Sequence, residues 1–304
     1  MTLDRRIHDD SSEPADRFRP PGPSLRAGRH RRAGRAAGRD TALAILRQAV
    51  RAGVNHIDTA HFYGEANGLI RDALAPYPGD LVLATKVGAD RDAGGKLIPA
   101  QRPDELRAQV DANLAALGVE QVGVVNLRRV DAPPGIVAAG EQRVDLDDQL
   151  AELAALRDAD KIGGIGLSNV SAGQLAQALP AGIACVQNLY NMLDRTAESV
   201  LEACRHHGVA WVPFFPLGSG MTGRPKVSDN PAVLAIAAEL GVTAGQVALA
   251  WLLASYDETL LIPGTSSAAH LAENLAAGDV TLPESAIATL DRLAPDVPRK
   301  ESQP

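Results

Sequence analysis

From Asp40 onward the chain alternates between helical stretches, with apolar residues three and four apart, and short runs of apolar and β-branched residues that end in polar ones. One helical face is drawn by Leu43, Leu46, Ala49 and Val50, and another by Leu106, Val110, Leu114 and Leu117. Seven strands are predicted between such faces, at 56–60, 81–87, 122–128, 162–167, 184–187, 210–214 and 259–262. Short strands separated by helices pair in parallel through right-handed crossovers. With no shift in composition along it, the stretch 40–295 reads as a single domain. The fold predicted is α/β, a (β/α)8 TIM barrel, with a doubly wound sheet as the second choice.

An eighth strand belongs before the helix that opens near Asp40. Residues 17–39 hold eight arginines and no β-branched residue, so no buried strand is predicted there and the first strand is poorly supported. Residues 1–39 are therefore read as an Arg/Pro/Gly-rich N-terminal segment, flexible or irregular, and 296–304 as a short C-terminal tail.

Composition narrows the function classes. In 304 residues, 45% hydrophobic and 22% charged, a sizeable core is available and disorder throughout is excluded. Thirty Lys and Arg against 37 Asp and Glu leave a net charge of −7, which gives no reason to expect nucleic acid or an anionic membrane as partner. No apolar run approaches the roughly 20 residues that span a bilayer. The two cysteines, Cys185 and Cys204, have no metal-ligand spacing and are too few for a disulfide framework, so a reducing cytoplasm is the expected location.

Barrel chemistry gathers at the C-terminal ends of strands. The polar residues predicted there are Asp58 and Tyr63, Lys86, Arg128, Ser168 and Asn169, and Gln187. A lysine ammonium beside Tyr63 favours release of the phenolic proton, and Asp58 can hold that ammonium in place, which makes a proton-donating unit. The same residues also suit a plain ion pair inside the barrel with Tyr63 packed on its rim. Further along, Thr265, Ser266 and Ser267 open a helix, where hydroxyls and backbone N–H groups can receive a phosphate or simply cap the helix. His206 and His207 before Gly208 read as a helix end, Trp211 and Trp251 as core, and Asp145, Asp147 and Asp148 as a helix start. His61 is placed on the wall of a pocket, and no set of residues has metal-ligand spacing.

Taken in order over residues 40–294, the stretches HIDTAHFYG, LATKVG, GIGLSNVS, VQNLYN, VPFFPLG and IPGTSSAAHLAEN resemble the aldo-keto reductases. That resemblance implies a (β/α)8 barrel, a small-molecule carbonyl substrate and a nicotinamide cofactor, NADP(H) first, with NAD(H) kept open. It implies Asp58, Tyr63 and Lys86 as catalytic residues, with Arg128 at a fourth position where the family carries histidine. It places Ser168, Asn169 and Gln187 on the nicotinamide carboxamide, and Phe214 on the ring face in place of the usual tyrosine. Leu217 and Gly218 fall along the pyrophosphate, and Thr265, Ser266, His270 and Asn274 in the adenosine-phosphate loop. There Gly264 and His270 stand where the family often has lysine and arginine, which lowers the charge offered to a 2′-phosphate. The family's first strand, with its glycine-rich cofactor contact, has no recognisable counterpart before Asp40. Two functions follow: a carbonyl reductase with Tyr63 as general acid, or an impaired relative that binds cofactor or a partner without turnover.

Overall fold

In a computed structural model the structure describes residues 24–26, 35–132, 135–218 and 225–294. Strands β1 (Ser24–Arg26), β2 (His56–Asp58) and β3 (Val82–Val87) are followed by an antiparallel hairpin, β4 (Ala89–Arg91) and β5 (Leu97–Pro99). Then come β6 (Val122–Arg128), β7 (Ile162–Ser168), β8 (Ile183–Gln187) and β9 (Ala210–Trp211). All but the hairpin form one parallel sheet in the order β1-β2-β3-β6-β7-β8-β9. A parallel bridge from Trp211 to Thr259 adds the eighth position. This curled sheet with helices outside it is the predicted (β/α)8 barrel.

The helices are α1 (Arg35–Arg51), α2 (Ala66–Leu74), α3 (Pro103–Leu117), α4 (Leu146–Asp158), α5 (Ala172–Ala178), α6 (Glu198–His207), α7 (Pro231–Leu240), α8 (Ala244–Ser255), α9 (Ala268–Leu275) and α10 (Glu284–Leu290). Local chemistry fixes many of their ends. Ser171 and Thr243 each form a reciprocal capping box with a glutamine three residues on, Gln174 and Gln246. Asp145 accepts from the Asp147 N–H at 2.9 Å to start α4. The predicted stripes face inward: Leu43, Leu46 and Ala49 of α1 and Leu106, Val110 and Leu117 of α3 are all buried against the sheet. Trp211 and Trp251 are core residues, and His206 and His207 lie in the last turn of α6.

Three expectations are corrected. The N-terminal segment was expected to contribute no strand, yet Ser24–Arg26 pairs in parallel with His56–Asp58, Ser24 opposite His56 and Arg26 opposite Asp58. Pairing uses backbone N–H and C=O groups, which the side-chain composition of residues 17–39 does not reveal. Helix α1 likewise begins at Arg35, five residues before Asp40, because arginine and alanine are good helix formers. Residues 1–23 and 27–34, and the tail 296–304, lie outside the described residues. Finally, strands 210–214 and 259–262 are shorter than the apolar runs that suggested them. Pro213 has no N–H, so the first is reduced to Ala210–Trp211 with an isolated bridge from Phe214 to Leu189, and the second to the single bridge at Thr259.

Among the described residues three apolar clusters divide the interior: the largest lies between sheet and helices, the smallest is Ala60, Phe62 and Ala89, and the third, Ala84, Val124, Cys185, Val212 and Ile262, draws on five different staves and fills the bore. Gly166 of β7 sits beside it: an added Cβ there would lie 2.1 Å from Asn126 Oδ1 and 2.9 Å from Cys185 Sγ. Gly166→Ala is therefore expected to cost about 1–3 kcal/mol through overpacking, read as a lower urea midpoint at unchanged slope.

Candidate active site

The bore opens where the strands end, and β2 and β3 bring the first two polar groups together there. Lys86 Nζ donates to both Asp58 carboxylate oxygens at 2.5 Å and to the Thr59 carbonyl at 3.3 Å. Both residues are buried, Asp58 completely. Taking two charges out of water is costly unless they are paired and hydrogen-bonded, and this pair is both. Gln187, from β8 across the bore, donates its Nε2 to Asp58 Oδ1 at 2.7 Å. The Lys86 ammonium lies 5.6 Å from the centre of the Tyr63 ring. Tyr63 itself ends the 3-10 turn His61–Tyr63 and is half-buried, so its ring borders both the ammonium and the mouth.

Arg128 ends β6, half-buried, with its guanidinium carbon 5.9 Å from the centre of the Phe62 ring. The neighbouring Arg129 turns the other way. It pairs with Asp131 through two bonds of 2.7 and 2.9 Å and donates to the Val144 carbonyl and to Gln149 Oε1. Gln149 continues to Gln101, and Gln101 to the Gly88 and Arg128 carbonyls. This buried lattice anchors the loop roots after β3 and β6, and the sequence reading missed it. The doublet Arg128-Arg129 was the available signal, since two adjacent strand-end arginines cannot both face one pocket.

The remaining expected residues follow the ends of β7, β9 and the Thr259 stave, with His270 and Asn274 in α9. Ser168 is buried at the end of β7, and Asn169 has φ 59°. Asn169 Nδ2 is bonded to the Arg129 and Ala132 carbonyls at 3.1 and 3.0 Å, so this amide holds the loop as well as bordering the mouth. Phe214 is half-buried above the bore cluster and edge-on to Phe215. Leu217 is half-buried, and Gly218 takes φ 77°, where a Cβ would meet the Pro225 carbonyl at 2.6 Å. Ser267, rather than Thr265 or Ser266, caps α9 through the His270 N–H, while Thr265 Oγ1 accepts from the Ser267 N–H at 3.0 Å. His270 and Ser266 are exposed and Asn274 is half-buried.

Beneath the ion pair lies His56, fully buried. Desolvation is the main reason its imidazolium is disfavoured, bringing its value from 6.5 down to about 4; Asp58 opposes the shift and Lys86 adds to it. The unfolded chain takes up a proton near 6.5 that the folded protein refuses until about 4, so stability is lost as pH falls through that interval. The Tm of wild type is expected to drop across it more steeply than that of His56→Asn, and equal slopes would remove His56 as the cause. Burial likewise pushes the Cys185 thiol up to about 12, which makes it packing rather than a nucleophile.

A nicotinamide group can be tested against one atom. Gln187 Oε1 is buried and has no hydrogen-bond partner among the described residues. An orphaned acceptor at the top of the bore is costly by itself and matches the N–H₂ of a carboxamide, so the residues present fit the group.

A parallel barrel with a buried Asp–Lys pair, a tyrosine and an arginine at its strand ends has the build of a (β/α)8 oxidoreductase. The chain belongs to the Aldo/keto reductase family, whose model matches residues 27–295. It is 44% identical over 259 residues to pyridoxine 4-dehydrogenase of Escherichia coli, covering 84% of this chain and 87% of that protein. It is 34% identical over 272 residues to an uncharacterised oxidoreductase of Schizosaccharomyces pombe, covering 87% and 83%. An aldo-keto reductase from Klebsiella pneumoniae, solved in complex with NADPH, shares the fold with a TM-score of 0.74 at 23% identity, covering 91% of this chain and 93% of that one.

Proposed function

We propose that the protein is an NADP(H)-dependent reductase that converts an aldehyde or ketone to its alcohol, with Tyr63 as general acid. The observation that carries this reading is the buried Asp58–Lys86 pair, with its ammonium 5.6 Å from the Tyr63 ring. Tyr63 gives its phenolic proton to the carbonyl oxygen, and Lys86 favours the phenolate left behind. Asp58, held by Gln187 and Lys86, fixes the ammonium. Arg128 donates to the same carbonyl oxygen from the side of Phe62; its permanent charge distinguishes it from a neutral imidazole.

Gln187, Ser168 and Asn169 would hold the carboxamide, and Phe214 would cover one ring face. Leu217, Gly218, Thr265, Ser266, His270 and Asn274 would receive the phosphates and adenosine. Bound in this way, the cofactor supplies the hydride. His270 is the nearest stand-in for a cation at the 2′-phosphate, and the NADPH bound to the Klebsiella structure supports NADP(H) as the first choice. The two buried free cysteines suit the cytoplasm.

The test is a titration with NADPH and NADH followed by tryptophan quenching, then a carbonyl panel headed by pyridoxal, because of the 44% identical pyridoxine 4-dehydrogenase. Consumption of NADPH on adding a carbonyl is expected. Binding without turnover across the panel would favour the impaired relative, and no binding would overturn the cofactor assignment.

A further inference from the structure

Tyr63 sits on a single 3-10 turn with no side-chain cap, bounded by Ala60 and by Gly64 at φ 72°. Such a turn has few and poorly aligned internal bonds, so what holds it must come from outside. The hairpin β4–β5 supplies it. Arg91 Nε donates to the Phe62 carbonyl at 2.8 Å, and the same guanidinium donates through Nη1 to the Gly95 carbonyl at the hairpin tip. His61 Nε2 lies 3.0 Å from Asp90 Oδ1, an oxygen that also accepts from the Arg91 N–H at 2.6 Å. Phe62 is buried with Ala60 and Ala89, and Tyr63, Leu97 and Ile136 pack on this trio.

The hairpin is itself well braced. Asp92 Oδ1 accepts from the Gly94 and Lys96 N–H groups, both at 2.9 Å, and Gly95 takes the positive φ of 78° that closes the turn. At its root Gln101 ties the Gly88 and Arg128 carbonyls together. That root directly follows β3, the strand of Lys86. A single stretch of chain thus carries the ammonium at one end and grips the tyrosine-bearing turn at the other.

Building on the reading of Tyr63 as the acid, we infer that Arg91 is a positioning residue: by bridging the Phe62 and Gly95 carbonyls it locks the Tyr63 turn onto the hairpin and sets the phenol's distance from Lys86. Two carbonyls on separate segments require two donors in a fixed fork, which arginine has and lysine lacks. Misplacement of a reacting group by about 1 Å can cost on the order of a hundredfold in rate, so a lost grip registers in turnover before it registers in stability.

The experiment compares wild type, Arg91→Ala and Arg91→Lys by kcat, KM, NADPH affinity and hydrogen exchange of the 60–65 segment. Arg91→Ala is expected to lower kcat by about tenfold or more while NADPH affinity is retained, with faster exchange in 60–65 and unchanged exchange in β6 to β8. Arg91→Lys should lie between the two, because a single nitrogen, unlike the planar guanidinium fork, does not span two separated carbonyls in a fixed geometry. Wild-type kcat and wild-type exchange in Arg91→Ala would overturn the inference. If alanine loosens the whole barrel, Arg91→Lys decides, since it retains the stem and the charge: wild-type turnover and exchange there would equally overturn it. A wild-type protein that consumes no NADPH with any carbonyl sinks the proposed function instead, and exchange in 60–65 still judges the grip.

Discussion

Replacing Tyr63 with phenylalanine is expected to lower kcat by about 10²–10⁴-fold, the usual contribution of a positioned general acid, and to leave NADPH affinity unchanged. The ring is retained, so packing against Phe62, 5.1 Å away centre to centre, is retained with it. Only the hydroxyl is lost. On the proposed reading the hydroxyl acts as the carbonyl becomes an alkoxide, so kcat and kcat/KM should fall together, the signature of an interaction made in the transition state. A variant with wild-type turnover would remove Tyr63 from the mechanism; a variant that no longer binds NADPH would show that the residue builds the cofactor site instead.

The second large effect concerns stability. Lys86→Met removes one partner of a pair whose side chains are 6% and 0% exposed, leaving the Asp58 carboxylate buried without its counter-charge. Breaking such a pair costs about 3–5 kcal/mol. In a chain of this size that corresponds to a Tm lower by roughly 10 °C. The double variant Asp58→Asn/Lys86→Met should recover much of the loss, because no charge is then left unpaired. A single variant as stable as wild type would mean that Asp58 finds compensation elsewhere, and the double variant would then bring no gain. Both proteins should be inactive, which separates the structural contribution of the pair from its contribution to chemistry.

The central staves were legible because strands buried on both faces are written as nearly continuous apolar runs: β3, β6, β7 and β8 appear where Val, Ile, Leu and Ala cluster. Asp58, Lys86 and Gln187 were legible for the opposite reason, as polar residues that interrupt such runs near their ends. What escaped was written in the backbone. Strand β1 declares itself through main-chain pairing in a segment of arginines, glycines and prolines. The hairpin β4–β5 was foreshadowed by Asp92, Gly94 and Gly95, residues suited to a tight turn, yet its contacts to the Tyr63 turn depend on which way Arg91 points. Direction also separates Arg128 from Arg129. A sequence gives their order along the chain, and the fold decides that one borders the mouth while the other is consumed in holding loops.

The bore is stoppered. Ala84, Val124, Cys185, Val212 and Ile262 close it below the Asp58–Lys86 pair, so the barrel is a cup and not a tube. A cup has one doorway, so whatever enters the bore must pass the rim where Arg128, Ser168 and Gln187 end their strands in one register.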